Sequence, residues 1–383
     1  MQKTSWIRAG LQTQTIDERY RSVGGFTSGF DYCRLILAAA VVAQHSIVTS
    51  YGTQSDSYVW GDWHRIFVAP ILLMFFALSG FLVSGSLKKR PTLGSFITLR
   101  VLRLVPALAV EVLLSALILG PLLTALPLSE YFTDKKFFAY FGNILGMIRF
   151  FLPGVFTANP FPGFVNISLW TVPYELECYL ALIALWLARI LRRPAWVAAI
   201  VLVAVVAGTT FALMNFEPSW ANNRPLPRSL IVAFLCGVCL NLFSHRIRLH
   251  WRYAALAFAG LLATTVIYQT VYIAAVFSAY LIVYVGMMHP PKKSPLFSGD
   301  YSYGLYLFAF PLQQTYSQLF PEHRHWYFNI LVTLFFGMAY AAFSWWVIEK
   351  PVLSRKKQVV AWVDTWGLRL RSRWEAGFSR FRL

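Results

Sequence analysis

Residues 31–46 read DYCRLILAAAVVAQHS. The stretch is an apolar helix carrying two ionisable side chains, Arg34 and His45, eleven positions apart. At about 100° per residue that separation is three turns plus roughly 20°, so both side chains lie on one face. At about 1.5 Å rise they stand roughly 16 Å apart along the axis. If the helix spans a membrane, Arg34 sits near one surface and His45 well inside. An ionisable group at that depth costs several kcal/mol unless it faces a polar interior, which makes it a functional candidate. The blander reading is a histidine hydrogen-bonded to a neighbouring helix and an arginine that snorkels.

Composition points to the same class. The chain has 383 residues, 57% hydrophobic and 17% aromatic, with only 13% charged and a mean hydropathy of +0.55. That is too apolar for a soluble domain and fits an all-α, polytopic membrane protein. The net charge of +18 would suggest nucleic acid in a soluble protein. Here the basic residues fall in short loops between apolar runs, so the positive-inside rule accounts for them, and no nucleic-acid partner is expected. The four cysteines, Cys33, Cys178, Cys236 and Cys239, lie in or beside apolar spans; the lone CxxC at 236–239 reads as packing, and no metal site is expected. The first apolar run follows about 30 polar residues and is too long for the core of a signal peptide.

Along the chain, residues 1–29 form a polar, glycine-broken segment placed in the cytoplasm, with Trp6, Ile7 and Leu11 free to lie at the interface. Spans are expected near 32–49, 66–87 and 96–126. The second carries small residues (Ala77, Ser79, Gly80, Ser84, Gly85) that permit close helix approach, and ends in Lys88, Lys89 and Arg90. The third opens with Arg100 and Arg103 on one face. Residues 137–156 are apolar but hold Asn143, Arg149 and Pro153. Parity between basic loops requires this stretch to enter and leave on one side, as a re-entrant or peripheral segment. Further spans follow from about 169, 195, 229, 253, 270, 303 and 326, the run 253–288 being two short spans with a turn near Gln269. Ten spans result, with both termini cytoplasmic. After Pro351, apolar residues at Val359, Val363, Trp366, Leu370, Trp374, Phe378 and Phe381 recur at three- and four-residue steps among arginines. Residues 353–383 therefore read as an amphipathic helix on an anionic membrane surface, a homodimer contact being the alternative.

Six stretches in order resemble the membrane-bound acyltransferase 3 family: Asp31, Arg34, Ala38, Ala39 and His45; FFALSGFL at 75–82; Phe96, Arg100, Arg103 and Pro106; NISLWTVPYELECYL at 166–180; SYGLYLFAFP at 302–311; and Glu349 with Pro351. The resemblance covers about 30–352. It implies transfer of an acyl group, commonly acetyl, from acyl-coenzyme A to a hydroxyl of a carbohydrate or lipid-linked sugar, in the inner (plasma) membrane. Phe308 stands where the family often has a histidine or another polar residue, and Glu175 is followed by Leu176 and Glu177 where the family often has adjacent acids. Glu175 and Glu177 point about 200° apart on a helix, so only one can share a cavity with His45; Glu175 holds the matching position. The fused extracytoplasmic hydrolase-like domain that many relatives carry is not expected.

The residues suit this chemistry. Arg100 and Arg103 offer planar, permanently charged forks for the phosphates of the donor, plain positive-inside anchoring being the other reading. An alcohol nucleophile needs a base; His45 is the candidate, with Glu175 holding the imidazole tautomer. An acyl-histidine intermediate stays open, as does a role for Glu175 as an acid at a helix start. Arg34 binds phosphate or polarises the thioester carbonyl, with Asp31 orienting it. Ser302 and Tyr303 are donor or carbonyl contacts, with interfacial anchoring the other reading for Tyr303. A reading from another class is a transporter or flippase for an anionic or lipid-linked substrate, with His45 relaying protons. Such proteins usually show matching inverted halves, and no internal repeat stands out here.

Overall fold

A computed structural model describes residues 13–61, 63–89, 92–215, 226–292 and 299–366. Among the described residues are ten apolar helices: α1 (Gly29–Tyr51), α2 (Arg65–Lys89), α3 (Leu93–Leu114, prolonged through a π-turn at Ser115–Leu119), α4 (Val172–Leu187) and α5 (Pro194–Met214), then α6 (Pro227–Leu242), α7 (Trp251–Val266), α8 (Val271–Gly286), α9 (Ser302–Leu319) and α10 (Trp326–Phe343, prolonged through a π-turn at Ser344–Glu349). Five of them, α1, α2, α3, α5 and α10, are long and apolar enough to cross a membrane by length and composition alone. The fold is an all-α polytopic membrane protein.

Burial sorts the helices. Ten of the sixteen residues of α6 and ten of the sixteen of α8 are buried, whereas α5 buries only Val197, Val201 and Ala212. A helix apolar on every side with little buried surface faces lipid; the shorter α6 and α8 are core elements. At the centre α2 packs against α1, α6 and α8. Gly80 on α2 lies against the backbone carbonyl of Phe234 on α6, and Gly237 on α6 against that of Ala77 on α2, with no room for a Cβ at either place. The small residues of the second span thus do what their size permits: two backbones approach until van der Waals contact holds them. The expected turn in the long apolar run is present, with α7 and α8 separated by a 3₁₀ turn at Tyr268–Thr270.

Two ends can be told apart. At one end the N-terminal segment crosses the helix termini. Gln14–Thr15 pairs antiparallel with Arg248–Leu249, Thr15 caps the short helix Ile16–Ser22 in a capping box with Glu18, and Arg19 Nε donates to the Met287 carbonyl at 3.1 Å. The helix at 356–366 lies at this end too. Asp364 accepts from Thr92 Oγ1 at 3.2 Å and from Ser95 Oγ at 3.0 Å, at the start of α3. The expected apolar positions Trp6, Ile7, Leu11, Leu370, Trp374, Phe378 and Phe381 lie outside the described residues, as does Arg90.

At the opposite end α1, α9 and α10 are tied by buried amides and hydroxyls. Gln313 Nε2 donates to the Val42 carbonyl at 2.7 Å, Ser317 Oγ to the Thr49 carbonyl at 2.8 Å, and Asn329 Nδ2 to Thr49 Oγ1 at 3.2 Å. The segment between α3 and α4 caps this end. It comprises the one-turn helices Leu128–Thr133 and Lys135–Tyr140, two 3₁₀ turns and a looped stretch. A six-residue helix reaches only about 9 Å, so none of these crosses. The segment is non-crossing, and its last part dips inward: Asn166 Nδ2 donates to the Leu307 carbonyl of α9 at 2.7 Å. Irregular backbone is tolerated there because protein, not lipid, surrounds it.

Candidate active site

A cavity of about 580 Å³ opens among α1, α2, α3, α4 and α9 at the end where the N-terminal segment crosses. That volume is in the range of sites for drug-sized ligands. Arg34, Arg100, Arg103, Glu175, Ser302 and Tyr303 all line it, so six of the seven site residues expected from sequence are brought together. The seventh, His45, is not among the lining side chains. It stands further along the same unbroken helix α1, its ring edge-on to Phe310 at 5.3 Å between centroids.

An ion-pair cluster that sequence reading did not foresee organises the cavity floor. Asp300, two residues before α9, accepts from Arg34 Nη1 at 3.1 Å, from Arg103 Nη2 at 2.6 Å and from Ser302 Oγ at 2.7 Å. Arg103 Nη1 also donates to Glu349 Oε2 at 2.6 Å, and the guanidinium stacks over Tyr303 at 5.4 Å. Asp31 completes the set by pairing with Arg34 and Lys292. Burial pushes the Asp300 carboxyl up, but the guanidiniums of Arg103 and Arg34, the Ser302 hydroxyl and Lys292 outweigh it and hold the acid at about 2. The cluster holds three cations, Arg34, Arg103 and Lys292, against three carboxylates, Asp31, Asp300 and Glu349, and is neutral as a unit.

The π-turn in α10 sets Glu349 in place. An i→i+5 turn brings positions five apart over one another, and Ser344 Oγ donates to Glu349 Oε1 at 3.0 Å. Ser302 and Tyr303 are likewise engaged within the protein, Ser302 with Asp300 and Tyr303 Oη with the Leu104 carbonyl at 3.0 Å.

Arg100 differs from the other two arginines. It sits one turn before Arg103, with its guanidinium 5.8 Å from the Phe96 ring and 5.9 Å from the Tyr179 ring, and its Nε has no hydrogen-bond partner. Glu175, at the start of α4, accepts a hydrogen bond from Tyr179 one turn on. It therefore shares the cavity with Arg100 and Tyr179 rather than with the imidazole of His45. Glu177 points away and is exposed, as the 200° separation requires. Phe308 stacks on Tyr340 at 4.2 Å.

Other polar groups went unforeseen. Asp300 and Lys356 line the cavity but carry no local pattern that marks them. Glu111 did carry a signal, being a lone acid inside the apolar run of α3. It is fully buried, Oε1 accepting from Ser115 Oγ and Asn166 Nδ2 at 2.9 Å each, and Oε2 has no partner.

Residues 27–349 match the family model described as an acyltransferase domain, acyltransferase 3. Two curated proteins are similar over nearly their whole length. One is Nodulation protein 10 of Rhizobium leguminosarum bv. viciae, 28% identical over 359 residues, covering 88% of this chain and 96% of that protein. The other is an O-acetyl transferase of Shigella phage Sf6, 26% identical over 352 residues, covering 85% of this chain and 96% of that one. No solved structure matches the chain.

Proposed function

The chain belongs to the acyltransferase 3 family and is a membrane acyltransferase, and from that premise we propose that it is an O-acyltransferase moving an acyl group, acetyl by preference, from acyl-coenzyme A to a hydroxyl of a carbohydrate or lipid-linked sugar. The observation that carries the donor half is Arg100: a guanidinium with an unpartnered Nε, lining a 580 Å³ cavity in which the other two arginines are already paired with acids. A planar cation held by two aromatic faces, in salt-bridge contact with no carboxylate among the described residues and only in longer-range attraction to Glu175, suits a diphosphate. A hydroxyl acceptor is supported by the name of the phage relative, an O-acetyl transferase, and its carbohydrate class by the resemblance alone.

In this reading Arg100 holds the donor phosphates, and the pantetheine arm runs along α1 from the level of Arg34 toward His45, about 16 Å further on. His45 removes the proton from the acceptor hydroxyl as its oxygen attacks the thioester carbonyl. The carbon–sulfur bond breaks, and the proton passes to the leaving thiolate to give free coenzyme A. The reaction needs no metal or redox partner. Glu175 with Tyr179, and Arg34, supply hydrogen bonds and charge along the path; Ser302 and Tyr303 keep the floor of the cavity in shape. Residues 30–352 form the catalytic unit, in an inner (plasma) membrane, with the segments 1–29 and 353–383 cytoplasmic and the cavity opening to the cytoplasm, as the positive-inside bias supports.

The test is a paired measurement on purified protein in lipid nanodiscs. His45→Ala should abolish acyl transfer to acceptor while acetyl-coenzyme A still binds with unchanged affinity. Retained transfer in this variant would remove His45 from the chemistry, and absence of donor binding in the unaltered protein would remove the donor.

A further inference from the structure

The charge of the cavity is unevenly committed. Its ion-pair cluster is neutral by itself, so Arg34 and Arg103 offer little net attraction to an incoming anion. Besides Arg100, one further cation among the described residues lines the space: Lys356, at the first position of the helix 356–366. Its neighbours Arg355 and Lys357 do not line the cavity. Lys356 is exposed, at the mouth, whereas Arg100 lies two turns inside α3.

The position of Lys356 is built rather than incidental. The carboxylate of Asp364, eight residues on, accepts hydrogen bonds from Thr92 Oγ1 and Ser95 Oγ, the residues that open α3. Val363 lies against Gly94, so close that a Cβ there would press on it. The helix 356–366 is thus clamped at its far end onto the element that carries Arg100. Its near end follows, after a turn at Arg355, the short helix Lys350–Ser354 that prolongs α10, whose Glu349 is clamped to Arg103.

Taking the donor reading above as the premise, we propose that Lys356 recognises the 3′-phosphate of acyl-coenzyme A, with Asp364 as the positioning residue that sets the lysine at the cavity mouth. The order of groups on the donor matches the order of cations in the protein. The acyl pantetheine is innermost, the diphosphate follows at Arg100, and the 3′-phosphate on the adenosine end is outermost, at Lys356. A phosphomonoester carries up to two negative charges and compact acceptor oxygens, which an ammonium binds as a point charge. Because Lys356 is exposed, the contact is screened and modest, and it acts on selectivity rather than on overall affinity.

The probes are coenzyme A and 3′-dephospho-coenzyme A, titrated by calorimetry against the full-length protein in nanodiscs of neutral lipid. The unaltered protein should bind coenzyme A roughly three- to fivefold more tightly than the dephospho form. Lys356→Ala should lose that preference by weakening coenzyme A alone, and Asp364→Asn should lose it in the same way. Lys356→Arg should keep it. Equal binding of the two probes by the unaltered protein overturns the inference while leaving the donor reading intact; binding of neither overturns both. The phosphate of an anionic lipid headgroup is the other source of this chemistry. If Lys356→Ala leaves the probe ratio unchanged and lowers instead the retention of anionic lipid by the protein, the lysine serves the membrane and the inference falls.

Discussion

At the scale of single residues, the three arginines of the cavity separate by what surrounds them. Arg103 joins the buried Glu349 and the partly buried Asp300, so its removal strands both. Breaking a buried pair by deleting one partner costs about 3 kcal/mol or more. Arg103→Ala should therefore lower the melting temperature of the detergent-solubilised protein by several degrees and reduce its yield in membranes. Arg100→Ala breaks no salt bridge among the described residues and removes only a longer-range attraction to Glu175; it should melt close to the unaltered protein and weaken acetyl-coenzyme A binding roughly tenfold, the loss of a charge-assisted hydrogen bond. Equal melting temperatures for the two variants would undo this division of roles. Asp300 gives the pH counterpart. Its carboxyl is held at about 2 in the folded protein, below the roughly 3.9 of an unperturbed aspartate. A depressed carboxylate contributes stability that is complete above the unfolded value and is lost as pH falls through the folded one. The melting-temperature gap between the unaltered protein and Asp300→Asn should hold constant from pH 7 to about 4 and close as pH approaches about 2. A gap that persists at the acid end would mean that Asp300 acts through something other than its charge.

At the scale of elements, both π-turns lie next to a buried acid: Ser115–Leu119 follows Glu111, and Ser344–Glu349 ends in Glu349. A π-turn inserts one residue into a helix and shifts everything beyond it by about 100° relative to an unbroken helix. In α10 that shift aims Glu349 at Arg103 while Trp346 and Val347 stay on the lipid side, where both are exposed. Deleting Trp346 removes the extra residue, so the turn should close into regular α-helix with Glu349 still aimed at Arg103. The expected result is a melting temperature close to that of the unaltered protein and well above that of Glu349→Ala. A deletion variant as unstable as Glu349→Ala would show that the wide turn itself is needed to aim the acid.

At the scale of the whole molecule, the two ends differ in what they present. One offers a cavity with cations at its mouth and floor; the other is closed by the capping segment, where Gln314 Nε2 holds the Phe161 and Phe164 carbonyls at 2.7 and 2.8 Å. His45 lies between them, beside Phe310, which in turn meets Phe161. In the proposed reading, donor and acceptor have separate approaches, coenzyme A through the cavity and the acceptor from the capped side. With acetyl-coenzyme A sealed inside oriented vesicles and acceptor only outside, labelled acyl groups should appear on the acceptor. Transfer confined to acceptor on the donor's side would sink this crossing route and leave a site open to one face only.

The sequence by itself determined the class, the ten apolar helices, the non-crossing segment and six of the side chains that meet in the cavity. The class, the helices and the non-crossing segment follow from hydrophobic run length, helical periodicity and loop charge, which are properties of neighbouring residues along the chain; the side chains were legible through the family resemblance. It also separated Glu175 from Glu177, because helix geometry alone decides that two positions two apart diverge. Tertiary structure decided the partners. Asp300 lies 197 positions from Arg103 and Glu349 lies 246, and no local pattern tells which acid neutralises which arginine. Packing chose Arg103 for the ion-pair cluster and left Arg100 with an unpartnered nitrogen, although the two read alike in sequence. It gave Glu175 to Tyr179, and it brought Lys356 to the cavity mouth through a clamp eight residues further on. The physical reason is common to the first three cases. A buried charge is settled by whichever opposite charge or hydrogen-bond donor the folded helices bring within about 3 Å, and that distance exists only once the helices have packed.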